Sequence, residues 1–240
     1  MFSSRQALLP APLKPVFYSG ASNSARLILA GRDHDKKSRL EHFVYNTFYS
    51  HYGARVNHFM PLMLAFEQND ILAVAGVRSA CGSHLFLEQY LDAPIEKLLS
   101  GFYGRPVSRE GIVEIGNLSS TCLGSAKFLF VALAALLHQA EAQWVVCVAN
   151  PAVRAIFRKM KLPFDCVQSV DKARLGKESE LWGSYYDAGC CLMVASVAEC
   201  VAALSENPNI QKEWQSSLSQ TRISQSAPGH WQALMSDRVY

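Results

Sequence analysis

Residues 112–137, with the sequence IVEIGNLSSTCLGSAKFLFVALAALL, constrain the fold more than any other part of this chain. A short β-branched run that carries one carboxylate, Glu114, leads into a turn of small residues, and the turn opens directly into a long apolar helix. A strand that delivers an acid beside a glycine-containing helix start can bind an anion and transfer a proton in one place. The stretch therefore predicts an enzyme.

The remaining patterns predict a sheet covered by helices. Residues 36–52 have apolar positions at helical spacing, and the apolar runs 61–67 and 71–78 flank a Gln-Asn-Asp turn of a length that suits a β-hairpin. Further predicted strands are 27–30, 112–118, 144–149, 182–186 and 190–195. Further predicted helices are 93–100, 125–140, 151–160 and 197–204. Residues 85–91 fit either a short strand or a short helix. A run of strands followed by alternating strands and helices predicts an α/β fold of mixed α+β type, with a central mixed sheet flanked by helices.

The composition sets the domain organisation. With 240 residues, of which 50% are hydrophobic, the chain can bury a core large enough for one domain. We expect that domain at residues 27–197. An extended arm rich in Pro, Ser and Ala is predicted at 1–26, and a helix with a polar, mobile tail is predicted at 198–240.

Charge and hydropathy argue against two classes of protein. A net charge of +3 is small for this length, which argues against a protein that coats nucleic acid. The longest wholly apolar run, residues 128–137, is well short of the ~18 to 20 residues that span a bilayer. The N-terminus also lacks the apolar core of a secretory signal. We therefore predict no transmembrane segment and a cytoplasmic location.

The seven cysteines show no CxxC spacing and mostly lie in apolar segments, as reduced core residues of an intracellular protein do. The adjacent pair Cys190 and Cys191 has two interpretations. It is either a redox or metal device, or two side chains on opposite faces of a buried strand. His42, His51 and His58 match no compact metal motif, so we predict no metal site.

Several motifs resemble one protein family. HYGARVNHFMPLML, LFLEQYLDAPIE, EIGNLSS, the glycine at 124 and WGSYYD are similar to the bacterial thermostable hemolysin family over roughly residues 36–195. The order hairpin, acid-bearing strand, small-residue turn, apolar helix, strand and Asn-Pro helix resembles the GNAT acyl-CoA N-acyltransferase superfamily. GVRSA followed by LFLEQYL and EIGNLSS is more distantly similar to acyl-homoserine-lactone synthases. The fold implies acyl transfer and the hemolysin name implies lysis, and a fold alone does not decide between them.

The resemblance gives the acid-bearing strand a catalytic role. In a GNAT-like enzyme Glu114 accepts a proton from an amine acceptor, directly or through water, once burial has tuned it. The alternative is a partly buried ion pair with Arg109 or Arg78. Asn117 either holds the acceptor or polarises the thioester carbonyl, or it caps the end of the strand.

The resemblance also implies a donor site at the start of the apolar helix and on the helix after Asn-Pro. Backbone amides beside a glycine can converge there on a phosphate. The predicted donor-binding residues are Leu118, Leu123, Gly124, Ser125, Ala126, Asn150, Arg154 and Arg158. The expected donor is acyl-CoA or an acyl carrier protein. The basic face with Arg154 and Arg158 has a solvated surface as its alternative interpretation.

Two positions depart from the superfamily pattern. Thr121 stands where Arg or Gln often binds the diphosphate, and Phe157 stands where a tyrosine often protonates the leaving thiolate. A thiol of pKa about 8.5 can leave as thiolate without full protonation. Tyr185 or Tyr186 is the candidate replacement acid, with sheet packing as the alternative.

The acceptor site is assigned by resemblance alone, to Arg78, Glu88 and Tyr90. The sequence thus predicts an acyltransferase that moves an acyl group from a thioester to the amine of a small acceptor, such as an amino acid or a related metabolite. The apolar run 128–137 and the LFLEQYL segment either line an acyl slot or pack the core. A membrane-active hemolysin and a catalytically inactive GNAT-like binding protein are the alternatives. An acyl carrier protein and a second copy of the chain are open as partners.

Overall fold

The computed structural model describes residues 26–82, 84–208 and 210; residues 1–25 of the predicted arm and most of the predicted tail lie outside them. The strands are β1 Arg26–Ala30, β2 Leu62–Glu67, β3 Ile71–Ser79, β4 Ile112–Ser120, β5 Trp144–Ala149, β6 Asp165–Val170 and β7 Cys190–Ser196. The α-helices are α1 Lys37–Tyr52, α2 Ile95–Tyr103, α3 Leu123–Gln139, α4 Pro151–Lys159 and α5 Val197–Ser205. Segments of 3-10 helix are Phe86–Tyr90, Arg109–Gly111 and Lys172–Trp182.

The strands form one mixed sheet in the order β1-β2-β3-β4-β5-β7-β6. β4 and β5 are parallel, and the other neighbouring pairs are antiparallel. This arrangement confirms the predicted mixed sheet flanked by helices. Helices cover both faces, which is why the central strands are apolar along their whole length. In β2, for example, Leu62 and Leu64 pack in the cluster with α3, whereas Met63 and Ala65 pack in the cluster with α1.

The two parallel strands separate soon after they pair. The register joins only Ile112–Glu114 of β4 to Trp144–Val146 of β5. On its other side β4 bulges against β3, where the register shifts between Val74 and Gly76 and Asn117 takes a positive φ of 50°. A bulge bends its strand and increases the local twist. The two strands therefore diverge in the middle of the sheet and open a gap between them.

Two predictions about single elements are corrected by the structure. Residues 182–186 were expected to form a strand, but they lie at the end of a 3-10 segment and in a turn. The cause is Gly183, whose φ of 50° is unfavourable for other residues and whose Cβ would lie 2.0 Å from the Tyr52 carbonyl oxygen. β6 has no counterpart in the sequence prediction because it is a largely exposed edge strand without apolar alternation. Residues 85–91, for which the sequence did not decide between strand and helix, contain a 3-10 helix.

Candidate functional site

A cavity of about 60 Å³ lies where β4 and β5 separate. Glu114, Asn117 and Tyr185, the three predicted catalytic residues, all line it, together with Arg78 and His58. Much of the remaining wall is aromatic, from Phe48, Phe59, Phe86, Trp182 and Tyr186. The structure thus brings one carboxylate and a few polar groups together inside an otherwise apolar pocket, which is typical of a small-molecule site.

Glu114 is the only acidic residue among those that line this cavity in the described structure, and it is 3% exposed. One carboxylate oxygen accepts a hydrogen bond from the Phe86 amide at 2.8 Å, and the other accepts one from the Leu87 amide at 3.0 Å. Burial raises the pKa of Glu114 to about 7, against the opposing effects of the Phe86 amide and the Arg78 charge. A carboxylate with this pKa can take up a proton near neutral pH.

Of the two arginines considered as ion-pair partners of Glu114, the structure places one near it. Arg78 lies opposite Glu114 in the β3–β4 register, and its charge lowers the pKa of the acid. Arg109 instead donates to Glu88 and Glu96. Each oxygen of an ionised carboxylate can accept two hydrogen bonds. The two backbone amides therefore leave capacity on Glu114 for an acceptor amine or a water.

Asn117 anchors one wall of the cavity. Its side-chain oxygen accepts the Met60 amide at 2.9 Å, and its nitrogen donates to the His58 carbonyl at 3.1 Å. Met60 in turn lies over Gly76 and Gly116, where an added Cβ would come within 2.5 Å and 2.6 Å of its side chain. The Asn117 side chain thus fixes the 58–60 loop against the bulge of β4. Its predicted contact with a substrate remains a prediction.

Tyr185 closes the β5 side of the cavity. Its hydroxyl donates to the Val148 carbonyl at 3.4 Å, and its ring packs edge-on against Tyr52. Burial raises the pKa of Tyr185 well above its usual value, so that the hydroxyl keeps its proton at neutral pH. A protonated hydroxyl at this position can serve as a hydrogen-bond donor or an acid.

The predicted acceptor residues are divided between two places. Arg78 lines the Glu114 cavity, whereas Tyr90 lies behind it and shares a hydroxyl–hydroxyl hydrogen bond with Tyr186. Glu88 lines a separate cleft, where Arg109 binds both of its oxygens at 2.7 and 2.8 Å. Burial alone would raise the pKa of Glu88, but the Arg109 guanidinium and two backbone amides lower it to about 2. The structure therefore does not bring Glu88 to the cavity.

The start of α3 is occupied in part by the protein's own groups. Cys122 is the N-cap, and its sulfur accepts the Ser125 amide at 3.5 Å while its carbonyl accepts the Ala126 amide at 3.1 Å. Although burial opposes the effect, hydrogen bonds from Ser125 lower the pKa of the Cys122 thiol. Thr121 donates both its amide and its hydroxyl to the Leu72 carbonyl. Gly124, which was also expected to bind the donor, is exposed, but its amide likewise interacts with the Cys122 thiol.

The remaining predicted donor residues are on or near α4 and β4. Asn150 caps α4 by accepting the Val153 amide at 3.0 Å, and its amide nitrogen donates to the Tyr52 hydroxyl at 2.9 Å. Arg158 is exposed, and Leu118 lines the Glu114 cavity. Phe157 is buried against Phe164, with ring centroids 4.0 Å apart. Phe157 is therefore a core residue, and the tyrosines that line the Glu114 cavity are Tyr185 and Tyr186.

The diphosphate of coenzyme A has few partners in this arrangement. Among the amides expected to bind it, those of Ser125 and Ala126 are engaged by Cys122, and Thr121 offers no positive charge.

Two further observations concern the described part of the chain. No group of three or more His, Cys, Asp or Glu side chains there is placed to hold a metal ion. None of its helices is long and apolar enough to cross a membrane.

The sequence match identifies the family. A sequence model of the thermostable hemolysin family matches residues 30–201. The chain belongs to this family. No curated protein matches it in sequence. The motifs that carry the family resemblance contribute most of the cavity, since HYGARVNHFM supplies His58 and WGSYYD supplies Trp182.

Solved structures share the fold of this chain at low sequence identity. TofI, in a ternary complex with an inhibitor and MTA, is 14% identical, with a TM-score of 0.53 over 77% of this chain and 99% of that chain. The acyl-homoserine-lactone synthase LasI is 13% identical, with a TM-score of 0.53 over 76% and 95%. FeeM, an N-acyl amino acid synthase from uncultured soil microbes, is 11% identical, with a TM-score of 0.52 over 76% and 96%. These similarities confirm the predicted GNAT-like fold.

The sequence analysis missed several cavity residues. His58 and the aromatic residues Phe48, Phe59, Phe86 and Trp182 come from four separate segments of the chain. A feature of the sequence could have indicated some of these residues. The two motifs HYGARVNHFM and WGSYYD combine aromatic residues with glycines outside any clear periodic pattern. Aromatic residues in irregular segments often line binding sites.

Proposed function

We propose that this protein transfers an acyl group from a thioester donor to the amine of a small acceptor such as an amino acid. The observation that carries the proposal is the buried Glu114, with a pKa of about 7, in the gap between β4 and β5. A buried acid tuned to neutral pH inside a pocket is a recurrent mark of a catalytic site. The fold, which acyl-transferring enzymes such as LasI and FeeM share, supports the same assignment.

The chemistry requires one base and one place for the thioester carbonyl. The ionised Glu114 accepts a proton from the acceptor's nitrogen, whose lone pair attacks the carbonyl carbon of the thioester. The carbon–sulfur bond then breaks, and the sulfur leaves as a thiolate. In this proposal the Tyr185 hydroxyl exchanges its contact with the Val148 carbonyl for a hydrogen bond to this sulfur, and Glu114 returns its proton to solvent or to the thiolate. The products are an amide and a free thiol.

A second, wholly apolar cavity of about 30 Å³ favours an acyl chain longer than acetyl. It lies on the α3 face and is lined by Phe130, Leu133, Ala134 and Leu137 of that helix. Ile115, the first residue of β4 beyond its pairing with β5, lines both this cavity and the Glu114 cavity. The two cavities therefore approach each other through the gap in the sheet, and an acyl chain entering beside Glu114 has apolar surface ahead of it.

The start of α3 and the surface of α4 bear on which molecule carries the acyl group. Because the diphosphate of coenzyme A finds few partners beside Cys122, we propose an acyl carrier protein as an alternative donor to acyl-CoA. The exposed Arg158 and the nearby Lys159 offer positive charge to an acidic carrier. The cytoplasmic location and the homodimer stay predictions.

The test is a turnover assay with the purified full chain. A panel of acyl-CoA and acyl-carrier-protein thioesters of increasing length is mixed with amino acids and small amines, and free thiol and product mass are followed. Glu114→Gln should lose most of the activity, whereas the matched surface substitution Glu110→Gln should retain it, because Glu110 is exposed. Absence of turnover across the panel, or equal rates for Glu114→Gln and wild type, would falsify the proposal.

The family name suggests a second reading, in which the protein lyses membranes directly. Incubation of the purified protein with liposomes, without any thioester, separates the two. Dye release that Glu114→Gln leaves unchanged would favour direct lysis. Lysis that appears only when thioester and amine are supplied would identify an amphipathic acylated product as the lytic agent. Thioester binding without turnover would instead indicate an inactive binding protein.

A further inference from the structure

The adjacent cysteines of β7 point in opposite directions. Cys190 packs with Leu192 in the cluster on the α2 face, whereas Cys191 packs with Met193 in the cluster on the α3 face. This is the alternation that a strand imposes on neighbouring residues. The interpretation of the pair as two side chains on opposite faces of a buried strand is confirmed, and Cys190 is not placed to react with Cys191.

Cys191 instead has a partner on the neighbouring strand. Cys166 of β6 lies opposite Met193 in the β6–β7 register, and Met193 is two residues from Cys191. Residues two apart on a strand share a face, so the Cys166 and Cys191 side chains lie diagonally on the same side of the sheet. The Cys191 thiol is close enough to raise the pKa of Cys166. Cys166 is exposed and Cys191 is buried, so one member of the pair meets solvent.

A cation lies against the buried sulfur. Nη1 of Arg154 is 3.2 Å from Sγ of Cys191, and Nη2 donates to the Gly189 carbonyl at 3.3 Å. A guanidinium beside a sulfur is a surrounding typical of reactive thiols. Partial burial and the neighbouring Cys191 thiol raise the pKa of Cys166, while the charge of Arg154 opposes this rise.

We infer that Cys166 and Cys191 form a reversible disulfide when the protein meets a two-electron oxidant such as hydrogen peroxide. The exposed sulfur of Cys166 attacks one peroxide oxygen, the O–O bond breaks, and a sulfenic acid and water result. The sulfur of Cys191 then attacks the Cys166 sulfur, the S–O bond breaks, and a second water leaves. A dithiol reductant supplies two electrons and two protons to restore both thiols.

The position of Cys166 in the sheet allows the bond to close. A disulfide needs a sulfur–sulfur distance of about 2.05 Å, so the two sulfurs must approach each other further. β6 is the outermost strand, with a neighbour only at β7, and its register already shifts between Cys166 and Gln168. An edge strand with a bulge can shift without disturbing other pairings. If the proposed acyl transfer is correct, oxidation also removes the thiol beside Arg154, a predicted donor contact.

The experiment uses the purified, reduced full chain treated with hydrogen peroxide. Unreacted thiols are alkylated, and the digested protein is mapped by mass spectrometry before and after reduction. We expect the number of alkylated thiols to fall by two, one crosslink between Cys166 and Cys191, and its complete loss on reduction. The result does not depend on acyl transfer, so it stands or fails separately from the proposed function.

Two adjacent substitutions give a matched comparison. Cys191→Ser should abolish the crosslink, whereas Cys190→Ser, one residue away on the opposite face, should leave it unchanged. Arg154→Met should slow crosslinking several-fold, because it removes the cation beside the sulfur. Oxidation of Cys166 to a sulfinic acid without a crosslink, a crosslink to another cysteine, or no loss of thiols in the wild type would each overturn the inference.

Discussion

The burial of Glu114 predicts a pH-dependent loss of stability that Glu114→Gln should remove. Folding raises the pKa of this carboxyl from 4.5 to about 7. At about 1.4 kcal/mol for each pKa unit, the shift corresponds to roughly 3 kcal/mol. Below the lower pKa the Glu114 carboxyl is protonated in both the folded and the unfolded chain, so its contribution to the free energy of unfolding is constant. Between the two pKa values the unfolded chain gives up its proton first, so the free energy of unfolding falls as pH rises, and it levels off above about pH 7.

The assay is urea unfolding of wild type and Glu114→Gln between about pH 4 and 8. Subtracting the two curves removes the contribution of the other titrating groups, and the wild type should lose roughly 3 kcal/mol relative to the variant as pH rises. Glu88→Gln is the matched control. With a pKa lowered to about 2, Glu88 is ionised in both states above about pH 5.5, so its difference curve should be flat there. A flat difference curve for Glu114→Gln over the same pH range would refute the claim that burial raises the pKa of Glu114.

Three further outcomes can be measured with the same purified protein. Gly183→Ala should destabilise the fold by more than about 3 kcal/mol in urea unfolding, because the added Cβ would lie 2.0 Å from a backbone oxygen. Gly176→Ala is the control: Gly176 has a φ of 56° but open space around it, so this substitution should cost only about 1 to 2 kcal/mol. Similar losses for the two variants would contradict the steric explanation. Asn117→Ala should cost about 2 kcal/mol by the same measurement, since it removes two hydrogen bonds to the neighbouring loop, and an unchanged midpoint would show that they contribute nothing. Ala134→Leu should fill the apolar cavity and shift turnover toward shorter acyl thioesters, and an unchanged length profile would place the acyl chain elsewhere.

Regular patterns in the sequence predicted most of the fold because those elements bury continuous or periodic apolar faces. The hairpin of β2 and β3, the strand β4 and the helix α3 all appear close to their expected bounds. Residues 182–186 were misread because aromatic residues have high strand propensity. Here their rings pack around a cavity built from distant segments, and Gly183 turns the chain. Local propensity carries no information about such packing.

The candidate site was predictable as far as it depends on one unusual residue. Glu114 stands alone as an acid in an apolar strand, and the structure places it in the cavity. Its hydrogen-bond partners are backbone amides of Phe86 and Leu87, which no side-chain pattern signals. Glu88, in the same motif as these amides, is less buried than Glu114 and is bound by Arg109, which is distant in sequence. Tertiary partners of this kind decide which carboxylate is tuned to neutral pH and which is held ionised.

The strand order has a consequence for synthesis on the ribosome. β7 is inserted between β5 and β6, so β6 leaves the ribosome before the strand on which it pairs. Until residues 190–196 emerge, one edge of β5 has no partner strand and β6 has no sheet to join. Unpaired edges are where nascent chains associate wrongly. The half of the sheet beyond β4 therefore completes late, and a nascent chain halted before β7 is expected to need protection from aggregation.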